Sequence, residues 1–183
     1  SGSDLLALWT VQDKKIDFTR VPVGGGGLVP NLLAGNIDAA VVYSPLSFQI
    51  AKSGEARTIL DYAKDVPPNL TSGWIVTDKF AKEKPEVVQK ALNALYGGLM
   101  YMRNNREAAI KLIADLYEMP ADIAAAEYEN TILKLDTSGD MSAANVPAAM
   151  QLSLDMAKMG GMNNLAPGSE IISTQFKPVA TKP

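Results

Sequence analysis

Gly24, Gly25, Gly26 and Gly27 stand in a row, directly after the apolar residues Val21 and Val23 and directly before Leu28. Glycine has no Cβ, so such a run tolerates positive φ and lets another molecule approach the backbone closely. Bare amides beside a helix start are a place to hold a small polar or anionic molecule. The run is not a phosphate loop, because no Lys-Ser or Lys-Thr pair follows the glycines. Its plainer role is a flexible strand-to-helix turn, and the two roles are compatible. A second apolar run, 39–43, halts at Tyr43, Ser44 and Pro45. Ligands of open α/β sheets gather beyond the carboxyl ends of strands, which puts Tyr43 either against a ligand or into ordinary packing. Trp74, after Ser72 and Gly73, offers an aromatic face that could wall a cleft or fill a core.

Whole classes of chemistry are excluded by what the chain lacks. With 0 His, neither a Ser-His-Asp arrangement nor a histidine metal site can be built. With 0 Cys, thiol catalysis, zinc-thiolate sites and disulfides go too. No cofactor and no metal is expected. The formal net charge of -3, with Lys and Arg spread along the chain, argues against a nucleic-acid partner. Arg20 and Arg57 are anion partners or, more simply, exposed strand-end charges. Asp38 reads as a turn or capping carboxylate. Met150, Met156, Met159 and Met162 read as soft helix packing and not as a metal box.

The elements that must position these residues follow from periodicity. Leu5, Leu6, Leu8, Trp9 and Val11 have helical spacing, with Ser3 as the N-cap. Residues 16–23 read as a strand, 28–34 as a compact helix stopped by Gly35, and 39–43 as a central strand. A short helix over 46–52 ends at Gly54; 57–60 and 73–77 are further strands, with a loop over 64–72. This alternation predicts an α/β fold with a mostly parallel sheet and flanking helices, followed by a C-terminal helical segment. Pro85 opens a long helix with Val88, Leu92, Leu95, Leu99 and Met102 on one face. Helices over 106–117, 120–135 and 142–159 follow, with Pro147 in the first turn of the last or breaking it. The tail from 163 reads as irregular, with Ile171, Ile172 and Phe176 as docking residues. The domain reading is an α/β lobe over 1–77 with a crossing strand near 73–77, helices over 78–160 and a tail over 161–183. At 183 residues the chain suffices for one good core or two small lobes, and no apolar run approaches a membrane span.

The order of "VPVGGGG", "LLAGNIDAAVVYSP", "SGEARTILD", "SGWIVTDKFAKEKPEVVQKAL" and "NNREAAIKLIADLYEMP" resembles the substrate-binding proteins of ABC importers of the sulfonate, nitrate, taurine and thiamine-precursor type. The resemblance covers roughly residues 1–160. Its most specific part is the pair AGxxDAAVxxxP and KxxPEVVxxxL. It implies the second lobe of a type II periplasmic-binding-protein fold, in which two lobes close like a hinge on a ligand. The family's first lobe has no counterpart here, so the resemblance implies a truncated or excised portion whose later helices lack a packing partner. By the same resemblance, Ser1, Gly2 and Ser3 present amides and hydroxyls to an anionic or polar head group at a helix N-terminus. The plainer readings are a cloning remnant and a simple N-cap. Tyr43 and Pro45 match an aromatic residue and a proline that line the family's cleft.

The expected function is a non-catalytic solute-binding component of an importer, taking a sulfonate, a carboxylate or a pyrimidine precursor. Its partners would be that small molecule and the importer's membrane subunits, with localisation in the periplasm or cell envelope and an export leader already removed. A ligand-sensing regulatory domain of the same fold is the alternative. An enzyme on that scaffold is the weaker one, since a pyrimidine-synthesising relative relies on histidine and cysteine. Exposed apolar helix faces on an isolated piece would allow a homodimer or a swapped assembly.

Overall fold

The computed structural model describes residues 2–70 and 72–177. Ten α-helices are assigned among these residues: α1 Gly2–Lys14, α2 Leu28–Leu33, α3 Leu46–Ser53, α4 Tyr62–Asp65, α5 Asp78–Glu83, α6 Pro85–Asn104, α7 Arg106–Tyr117, α8 Ala121–Asn130, α9 Val146–Met159 and α10 Gly168–Ile171. Two short 3-10 turns join them, Gly25–Gly27 and Ile132–Lys134.

The expected sheet is not there. The protein is 59% helix with no strand among the described residues, which overturns the reading of a mostly parallel α/β layer. A strand exists only as a member of a ladder, and β-prone side chains do not supply the neighbour. None of the backbone hydrogen bonds in turns and loops joins the segments 16–23, 39–43, 57–60 and 73–77 to one another among the described residues. They run as irregular chain, and Ile16, Val21, Ile59, Ile75 and Tyr43 stay exposed.

The chain divides into two compact units. The first comprises residues 2–70 with 147–168. Its core is Leu6 and Trp9 of α1, Val66, and Met156 of α9, wrapped by Leu5, Val41, Leu60, Tyr62 and Leu152. Leu6 and Trp9 are three apart and share one face of α1, so a short helix can bury two large side chains together. Trp9 meets the Tyr62 ring edge-on at 6.4 Å, and Thr10 Oγ1 lies 2.7 Å from Tyr62 Oη. The foot of α9 is closed by a Schellman motif: Met162 N donates to Ala157 O, Gly161 N donates to Lys158 O, and Gly161 takes a φ of 87°. A methyl group on the neighbouring Gly160 would stand 3.2 Å from Leu5 Cδ2, so α1 crosses close to that end.

The second unit comprises 72–146 with 169–177. Pro85 starts α6 at its first position, where a missing amide costs nothing. Helices α7 and α8 pack as a hairpin around Ala109, Ile113, Met119, Ile123, Ala124 and Tyr128, all buried. Tyr128 Oη donates to Arg103 O at 2.8 Å, and Arg106 stacks over the Tyr128 ring while pairing with Glu129 at 2.9 Å. Ile172 and Phe176 are half-buried, whereas Ile171 is exposed. Lys177 is tied by its Nζ to Asp140 and Ser142, each at 3.2 Å, and by its carbonyl to Gln89 Nε2 at 2.6 Å.

Candidate functional site

Asp4 lies in the first turn of α1, where a carboxylate complements the partial positive charge of the helix end. Its two oxygens accept from Arg20 Nη1 at 3.0 and 3.2 Å. Arg20 is therefore an exposed member of an ion pair, as the plainer of its two readings had it exposed, and Asp4 is the partner that sequence reasoning missed. The signal was present: an acid in the first helical turn and an arginine in the next apolar segment.

The same turn of α1 is met by Tyr43. A methyl group built on Gly2 would stand 2.9 Å from Tyr43 Oη, so the phenol hydroxyl overlies the start of the helix. Partial burial pushes the Tyr43 hydroxyl above the usual phenol range, with Tyr62 adding to the shift. The group therefore stays protonated at neutral pH and can donate a hydrogen bond. Tyr43 itself is 50% exposed. Its carbonyl accepts from Ser47 N at the start of α3, and a cis peptide bond joins Ser44 to the buried Pro45. Ser3 and Ser44 are half-buried, each with interactions of its own. Of the predicted residues, Gly2 and Tyr43 thus meet at one end of α1. Ser1 lies outside the described residues.

The glycine run separates into two kinds of position. Around Gly24, Gly25 and Gly26 an added Cβ would meet nothing within 4 Å, and Gly24 has a φ of 70°. Gly27 differs, because a methyl there would come 3.2 Å from Val23 Cβ and 3.3 Å from Asn31 Nδ2. The first three are open backbone and the fourth is a packing glycine. Trp74 belongs to the second unit and is 67% exposed, so it does not fill a core. Asp38 and Arg57 are placed in turn and loop segments with no part in this arrangement.

One hollow, of about 670 Å³, is lined by residues 62–69 and contains none of the predicted site residues. A smaller one of about 360 Å³ is lined by 105–108. Both are open troughs along one stretch of chain, without converging polar groups from separate elements. Among the described residues, no three acidic, histidine or cysteine side chains come together as metal ligands. No helix of the described residues is long and apolar enough to cross a membrane.

The head of α1 brings together helix amides, the Tyr43 phenol and one guanidinium already engaged by a carboxylate. Residues 8–109 match the family model described as NMT1/THI5 like, which is more than half of the chain. The chain belongs to the NMT1/THI5 like family. That family is of the periplasmic-binding-protein kind, associated with sulfonate, nitrate and thiamine-precursor uptake, and is generally a binding domain and not an enzyme. The family match covers the glycine run, Tyr43, Ser44, Pro45 and Trp74, and starts just after the first turns of α1. No curated protein and no solved structure matches the chain at a significant level.

Proposed function

We propose that this protein is the solute-binding component of an ABC-type importer in the periplasm or cell envelope, and that it captures a small organic anion or heterocycle without altering it. Sulfonates, carboxylates and pyrimidine precursors are the ligand classes. The observation that carries the reading is the meeting of the Tyr43 hydroxyl with the first turn of α1 in a chain of this family. A helix N-terminus holds about half a positive charge, and a neutral phenol beside it donates a directed hydrogen bond. An anionic head group can accept from both. Arg20 adds positive charge at the same turn, moderated by Asp4. The open amides of Gly24, Gly25 and Gly26 would serve as a second group of donors.

Isothermal titration of the protein against alkylsulfonates, short carboxylates and pyrimidine precursors tests this. The expected outcome is saturable binding of at least one class, with the ligand recovered chemically unchanged. Absence of binding across all three classes, or conversion of any ligand, would overturn it.

A further inference from the structure

No further inference is drawn: the strongest candidate, the exposed apolar surface patch of Trp74, Ile75 and Val76 in the segment leading into α5, carries nothing because nothing in the structure shows what covers it.

Discussion

Gly25 and Gly27 are two residues apart in one turn and answer to different constraints. At Gly27 the neighbours Val23 and Asn31 crowd the space a side chain would take; at Gly25 that space is empty. Open space at a glycine means that protein packing does not require it, which leaves turn flexibility or approach by another molecule as the reason a glycine is useful there. Replacing Gly25 with Ala therefore discriminates between ligand loop and flexible turn. Thermal unfolding should shift by no more than about 0.5 kcal/mol, as for a surface change away from contacts. Affinity for the bound solute should fall by roughly tenfold, about 1.4 kcal/mol. Unchanged affinity in a titration of the Ala variant would assign the run to turn flexibility alone. Asp4 and Arg20 make the opposite kind of pair: both are substantially exposed, and an ion pair of that kind contributes about 0–1 kcal/mol. Their interest is local charge at the helix head and not stability.

Among the elements, α1 and α9 depend on one side chain more than any other. Met156 is 0% exposed and sits in the cluster with Leu6, Trp9 and Val66. Met156→Ala leaves a cavity that short helices cannot collapse without losing Trp9, so it should destabilise the first unit by about 2–5 kcal/mol. Hydrogen exchange should then show faster amide loss in α1 and α9, while α7 and α8 keep their protection. Uniform loss across all four would contradict the division of the core. The turn at 136–142 makes a second, pH-dependent element. Hydrogen bonds from the Ser142 hydroxyl and amide, then from Lys177, lower the Asp140 carboxyl from its usual value to about 2. Burial works to raise Asp136, but bonds from Ser138, Gly139 and Thr137 outweigh it and the carboxyl is lowered. Folded values below the unfolded ones mean that this contribution is complete above about pH 4 and is lost as pH falls toward 2. Amide resonances of 136–142 and 177 should move together over that window and stay constant from pH 5 to 8. Movement above pH 5 would sink the assignment to these carboxylates.

Local signals made most of the helices legible. Pro85 marks the start of α6, and the residues 106–117 read as a helix are those of α7. Gly35 stops α2 through a second Schellman motif, with Asn36 N donating to Asn31 O and Gly35 N to Leu32 O. Gly54 ends α3 in the left-handed region. Pro147 falls in the first turn of α9, which begins at Val146 and not at Ser142. Three helices went unread: the four-residue α10, in the tail read as irregular, and two whose caps are written in the sequence. Asp61 accepts from Ala63 N to start α4, in a stretch read largely as loop, and Thr77 accepts from Phe80 N to start α5. The failure of the strands is of another kind. Val21, Val23, Val41, Val42 and Ile75 have the composition of strands, but pairing is a property of two segments at once. No local run of residues states whether its neighbour is in place.

At the scale of the whole molecule, the chain carries two compact units of helices, with exposed apolar side chains in the irregular segments within them, Ile75 reaching 92% exposure. The predicted binding groups are divided accordingly. Gly2, Ser3, Tyr43 and the open glycines belong to the first unit, and Trp74 belongs to the second. The glycine run and the Tyr43, Ser44 and Pro45 group were named from residue type and order alone. That Tyr43 would reach the first turn of α1 was not legible, since the two are separated by about forty residues and the neighbouring Val41 meets α1 through tertiary packing on Leu6 and Trp9. The measurement that bears most directly on the account is an NMR titration of the uniformly labelled protein with whichever solute the calorimetry finds to bind. The amides of Gly2, Ser3, Asp4, Gly25 and Tyr43 should show the largest shifts, saturating with one common dissociation constant. If those resonances stay still while the solute shifts residues of α6, α7 and α8 instead, the head of α1 is not where this protein holds its ligand.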